Sequence, residues 1–148
     1  MSETICQYCY ESSAPREQFY ETKLYRVVVA RKSFNDGHAI IVPKQHDPHF
    51  YSLSLDAIEE FGYLVKKVSF WCMRLTMSTG FSMVMNDVTT NTAEQSAHLE
   101  IHILPRRPND PHFTSMESLA AEVSQVLDDM AVDKAVKEMR NLMQLPQV

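Results

Sequence analysis

The sequence predicts an α+β fold: an antiparallel sheet with a long helix packed on it, followed by a C-terminal helix. Three observations predict it. Short stretches rich in β-branched residues are joined by turn chemistry, as hairpins require. One long run, Leu55 to about Met77, repeats its apolar residues at helical spacing. The order strands, helix, strands, helix favours antiparallel pairing over alternating parallel units.

The elements follow in chain order. Residues 1 to 22 are polar and contain the Cys6-Gln7-Tyr8-Cys9 knuckle. Leu24 to Ala30 (LYRVVVA) reads as a strand. Ser33-Phe34-Asn35-Asp36-Gly37 is a turn, and His38 to Val42 returns as the second strand of a hairpin, ended by Pro43. A polar connector from Lys44 to Ser52 carries His46 and His49. Ser54 is the expected N-cap of the long helix, in which Ile58, Phe61, Val65, Val68 and Cys72 form a core-facing stripe, weakened slightly by Gly62. Phe81 to Met85 and His98 to Leu104 are further strands, joined by a polar loop from Asn86 to Ala97. Thr114-Ser115-Met116-Glu117 spells a capping box for the C-terminal helix, which is expected to break near Asp133 and resume to about Met143. The whole reads as one domain over residues 1–148: a knuckle at 1–22, a core at 23–107 and a C-terminal helical extension at 108–148.

Composition narrows the function. A chain of 148 residues, 45% hydrophobic and 22% charged, is long enough to bury a sizeable core. Its formal net charge of −5 argues against generic nucleic-acid binding, although Arg106-Arg107 is a local patch suited to one small anion. The longest apolar stretches, Val27 to Ala30 and Ala39 to Val42, are strand-sized, and neither a signal peptide nor a membrane span is visible. A soluble cytoplasmic protein is the expectation. Three cysteines do not make a disulfide framework, and Cys72 sits in an apolar helical run as inert core.

Two clusters carry chemistry. Cys6 and Cys9, with two residues between them, are spaced as a metal pair or a redox pair. The metal reading needs remote ligands, and His46 and His98 are available. The sharper signal is QSAHLEIHILPRR, residues 95 to 107. In a strand, His98, Glu100 and His102 line one face while Leu99, Ile101 and Ile103 line the other. A carboxylate beside imidazoles favours their charged forms, so such a row is suited to holding or moving protons near neutral pH. Gly37-His38 begins a strand that can pair in the same sheet.

These residues resemble the motifs of the histidine triad (HIT) superfamily. Cys6-x-x-Cys9 is similar to the zinc knuckle of many bacterial and archaeal members. Residues 35 to 46 (NDGHAIIVPKQH) are similar to the family's Gly-His to Pro-Lys-x-His segment, and His98 to Arg106 to its His-x-His-x-His-x-x-Pro-Arg motif, except at the centre. The resemblance implies an antiparallel sheet with a long packed helix, usually in a homodimer. It implies a structural zinc held by Cys6, Cys9, His46 and His98, and a mononucleotide pocket in which His102, Gln95 and Ser96, with Asn86 nearby, hold the phosphate. His38 is expected behind them, orienting the central group.

The departures from the family pattern are specific. Glu100 stands where active members carry the histidine that attacks the α-phosphorus. Ala30 stands at the position of a ribose-binding acid, and Thr92-Ala93-Glu94-Gln95 replaces a glycine-bearing loop with one residue more, in a chain of only three glycines. The first expectation is a zinc-stabilised module that binds a nucleotide or phosphate ligand without nucleotidyl-histidine chemistry. The alternative is a divergent hydrolase or transferase for phosphoramidates, dinucleoside polyphosphates or related esters, with Glu100 as base or nucleophile and with His102 and His38 in support. A third, unrelated reading is a protein-contact scaffold using a Met116, Leu119, Val123, Val126 and Met130 helix stripe.

Overall fold

The computed structural model describes residues 8–9, 15–46, 49–87, 98–108, 110 and 125–144. Cys6, Gln95, Ser96, Ala93 and the 114–117 capping box lie outside the described residues. Strands β1 (Gln18–Glu21), β2 (Tyr25–Val29), β3 (Lys32–Ser33) and β4 (Ala39–Pro43) precede helix α1 (Leu55–Thr76). Strands β5 (Gly80–Asn86), β6 (Glu100–Arg106) and β7 (Gln125–Val126) follow, and then helix α2 (Asp129–Met143). The main sheet has the order β1-β2-β4-β6-β5 with every neighbouring pair antiparallel. The α+β architecture read from the sequence is therefore the observed one. No helix among the described residues is long and apolar enough to cross a membrane.

Alternation divides the sheet into two faces. Val27 and Val29 of β2, Ile41 of β4 and Ile101 and Ile103 of β6 face α1, whose Phe61, Leu64, Val68 and Trp71 close over them. Val28, Ala30, Ile40 and Val42 face the other way, where Tyr8 packs on them. The N-cap is as expected: the Ser54 hydroxyl accepts from the Ala57 N–H at 3.1 Å. The expected stripe holds at Phe61, Val68 and Cys72, which are buried, and at Val65, which packs against the core; it is widened because α1 is covered by α2 as well as by the sheet. Ala57, Leu64 and Trp71 are buried, whereas Ile58 is only half-buried.

Within residues 1 to 22, Gln18–Glu21 adds an edge strand to β2 and buries Phe19. Two expectations about the C-terminal region are corrected. The C-terminal helix does not break near Asp133; α2 runs unbroken from Asp129, capped by the Asp128 carboxylate on the Ala131 N–H at 2.8 Å. Met116, Leu119 and Val123 of the expected stripe lie outside the described residues, but Val126 pairs with β3 as strand and Met130 is 82% exposed, so these two share no buried helix face. Helix α2 belongs to the core through Val132, Val136 and Met139. Arg31 fastens its start, donating to Glu17, to Asp129 and to the Leu127 carbonyl.

The turn before β4 fits against the end of α1. Gly37 has φ +81°, and a Cβ there would lie 2.7 Å from Thr76 Cγ2 and 3.0 Å from Pro105 Cγ. Gly37→Ala is expected to cost about 1–3 kcal/mol, from backbone strain and overpacking together. A fall in the urea midpoint with an unchanged m-value would register it.

Candidate metal clamp and histidine–glutamate row

Strand β6 lies inside the sheet between β4 and β5, and its alternation is complete. Leu99, Ile101 and Ile103 are fully buried on the α1 side. His98, Glu100 and His102 share the opposite face, as the spacing predicts. Register places His102 opposite Ile40 on β4 and Val84 on β5, and Glu100 opposite Asn86. His38, one residue before β4, is the diagonal neighbour of His102 on the same face.

At one end of this face three donors converge. The ligand atoms of Cys9, His46 and His98 all lie within 4.8 Å of one another, a grouping able to hold a metal ion. Cys9 Sγ is 3.3 Å from His46 Nδ1 and 3.6 Å from His98 Nδ1. His98 Nε2 sits 2.7 Å from the Pro43 carbonyl, which only accepts, so that nitrogen carries the ring proton. Nδ1 is left with its lone pair toward Cys9 and His46, the tautomer a metal ligand needs. Burial pushes the His98 pKa down, favouring the neutral ring, while the Pro43 bond opposes that shift. Cys6, the fourth expected ligand, is outside the described residues.

Further along the face, His38, His102 and Glu100 form a hydrogen-bonded row. The Phe34 N–H donates to His38 Nδ1 at 3.2 Å. His38 Nε2 is 2.7 Å from His102 Nδ1, and His102 Nε2 is 3.0 Å from Glu100 Oε2. His38 is 2% exposed, and burial first, then the neighbouring His102, lowers its pKa to about 3. Its direct partner is His102; the expected contact from His38 to the central group runs through that ring.

Sequence reading missed one pair. His49 Nδ1–H donates to Asp87 Oδ1 at 2.7 Å, and the Phe50 N–H donates to Asp87 Oδ2 at 3.1 Å. The His49 bond, then the Phe50 bond, hold the Asp87 carboxyl below its usual pKa range. This pair pins the connector carrying His46 to the end of β5, beside Asn86. The adjacency of Asp87 to a predicted site residue was the one available signal. Arg106 lies elsewhere, its Nε 3.6 Å from Asp110, while Asn35 Nδ2 donates to the Pro105 carbonyl at 2.6 Å.

A five-stranded antiparallel sheet, a long helix behind it, and a Cys/His cluster beside a His–His–Glu row define a small α+β domain of the histidine-triad kind. The HIT domain family model matches residues 11–109, and the chain belongs to that family. It is 26% identical to the bifunctional bis(5′-adenosyl)-triphosphatase/adenylylsulfatase FHIT of Arabidopsis thaliana, over 94% of this chain and 82% of the relative. It is also 26% identical to the adenylylsulfatase HINT3 of the same plant, over 96% of this chain and 72% of the relative. Among solved structures, the diadenosine triphosphate hydrolase of Plasmodium falciparum superposes with a TM-score of 0.72 at 19% identity, covering 97% of this chain and 86% of that one. A Zn-bound histidine triad family protein from Mycobacterium smegmatis superposes with a TM-score of 0.66 at 17% identity, covering 88% and 85%. These two likenesses show the shared fold.

Keeping His38 neutral makes stability pH-dependent. Its folded pKa of about 3 lies below the ordinary 6.5, so the unfolded chain binds the extra proton between those values. The stability is fully present above about 6.5 and is lost as pH falls toward 3. Urea midpoints measured from pH 7 to pH 4.5 are expected to fall more steeply for the native protein than for His38→Gln.

Proposed function

We propose that this HIT-family protein binds a nucleoside phosphate on the polar face of β6, clamped by a structural zinc, and forms no nucleotidyl-histidine. The observation that carries this reading is Glu100. Its carboxylate ends the hydrogen-bonded row and accepts a hydrogen bond from His102 Nε2 at 3.0 Å, where an attacking imidazole would otherwise present a lone pair. A carboxylate there adds repulsion toward a phosphate instead of an uncharged nucleophile. The nucleotide-hydrolysing relatives support a nucleotide as the ligand class. His102, Asn86, Gln95 and Ser96 are assigned to the phosphate.

Zinc is assigned to Cys6, Cys9, His46 and His98. Ligands about 2.0 Å (N) and about 2.3 Å (S) from a tetrahedral zinc stand about 3.5 Å apart, which supports the assignment. Cys9 Sγ has its neighbours at 3.3 and 3.6 Å. Two thiolates and two neutral imidazoles close the coordination, so the metal would supply folding energy and no open position for a substrate. A homodimer through the β5 edge is part of the same reading. That strand pairs only with β6 among the described residues, and its Phe81 and Met83 are 40% and 45% exposed.

A second reading, hydrolysis or transfer with Glu100 as base or nucleophile, is favoured by the row itself, which holds that carboxylate in one orientation.

Metal analysis of unchelated protein is expected to find about one zinc per chain, with Cys6→Ser or Cys9→Ser losing the metal and melting several degrees lower. Adenosine 5′-monophosphate is expected to raise the melting temperature of the zinc-loaded protein by mass action. Mass spectrometry after incubation with a dinucleoside polyphosphate should detect no adenylylated protein. An adduct on a histidine would sink the reading, and Glu100→His is the variant in which one is expected.

A further inference from the structure

At one level of the main sheet, directly opposed residues run in a line across all five strands. Gln18 of β1 stands opposite Val28 of β2, and Val28 opposite Ile40 of β4. Ile40 in turn stands opposite His102 of β6, and His102 opposite Val84 of β5. Directly opposed residues share a face, so the line lies on the face of the histidine–glutamate row. Phe19, next to Gln18 in the chain, belongs to the α1-side core, which leaves Gln18 on the other side. Val28 and Ile40 are part of the apolar cluster on which Tyr8 packs. From β6 to β1 the line thus begins at an imidazole, crosses an apolar floor and ends at an amide. Three strand spacings separate those ends, about 14 Å.

Both ends are held in place. The Phe34 N–H makes His38 Nδ1 an acceptor, so His38 Nε2 donates to His102 Nδ1 and orients that ring. The Gln18 backbone N–H donates to the Pro15 carbonyl at 3.0 Å, and its own carbonyl accepts from Arg140 Nη2 at 3.1 Å. Gln18 is 7% exposed, yet its side-chain Oε1 is buried with no hydrogen-bond partner among the described residues. A buried acceptor left unpaired is costly. An apolar side chain of similar length would pack there without that cost, and a ligand that brings a donor to Oε1 removes it.

We propose, resting on the nucleotide-binding reading above, that Gln18 is a specificity-determining residue that reads the edge of the base. A nucleoside 5′-phosphate laid along the line has its phosphate at His102, its sugar and rings over Ile40 and Val28, and its base edge at Gln18. The amide presents an acceptor and a donor side by side, Oε1 and Nε2. The complementary edge carries an exocyclic amine next to a ring nitrogen, as adenine does. A base with a carbonyl in place of that amine sets oxygen lone pairs against Oε1 and leaves the buried acceptor unpaired. Two fused rings also cover more of the Val28–Ile40 floor than one ring does.

The test is calorimetry on the zinc-loaded protein with adenosine 5′-monophosphate (AMP) and with purine riboside 5′-monophosphate, which lacks only the 6-amino group. The native protein is expected to bind AMP about 10- to 100-fold more tightly, the usual range for leaving a buried polar group unpaired. In Gln18→Met, AMP affinity is expected to fall to that of the purine riboside nucleotide, with zinc content unchanged. Equal affinities in the native protein overturn the proposal whether or not the variant folds, and they leave the nucleotide-binding reading standing. Full discrimination surviving in Gln18→Met overturns it as well, since the amine would then be read elsewhere. Absence of binding by either nucleotide removes both readings.

Discussion

The register of β6 is the constraint on which the rest depends. Leu99, Ile101 and Ile103 are fully buried against α1, so a slip of one residue would drive His98, Glu100 and His102 into the core. Ionised and polar side chains there would cost several kcal/mol each without partners. The core packing of one face therefore positions His98 and the row's Glu100 and His102 on the other. His98 and Glu100 are two residues apart, so the Cys/His cluster and the row cannot move independently along the strand.

The second anchor is the turn before β4. His38 reaches His102 diagonally across the β4–β6 pairing, but its tautomer is decided by the Phe34 N–H in the preceding turn. That turn can lie where it does because Gly37 has no side chain to strike Thr76 and Pro105. Thr76 belongs to the last turn of α1, and its hydroxyl is itself spent on the Cys72 carbonyl at 2.9 Å. Helix end, turn and row are thus packed in series. The orientation of Glu100 is traceable to a glycine on the far side of the strand pair.

What the sequence disclosed follows from the range of the interactions involved. The hairpin, α1 and the alternation of β6 are local patterns of apolar residues, and they were legible. Cys9, His46 and His98 were legible because residue type, spacing and the family resemblance agreed. Strand β1 was not, since Gln18–Glu21 is a short edge strand with Phe19 as its main buried apolar side chain. Strand β7 has two residues and exists only through its pairing with β3, far away in the chain. The expected break at Asp133 failed because Asp133 lies on the exposed side of α2, where it faces Arg16 at 3.8 Å and does not interrupt the core stripe. His49 and Asp87 are brought together by the fold, with no motif between them. The direction of the row was hidden for a different reason: it is set by a backbone N–H, which leaves no mark on residue type.

On the proposed reading, a carboxylate at position 100 also alters how the face meets an anion. The proposed clamp of two thiolates, two neutral imidazoles and one Zn²⁺ would be neutral overall, so it would not offset the charge of Glu100. Arg26 acts on this end of the face, since its charge contributes to lowering the His98 pKa. The other offset is the row itself. A charge-assisted bond from His102 draws part of the carboxylate's charge onto the imidazole, and the bonds from His38 and Phe34 strengthen that donor in turn. Because every bond in the series points toward Glu100, the polarisation accumulates there. On the proposed binding reading, the one-way row would reduce the repulsion that Glu100 presents to a phosphate.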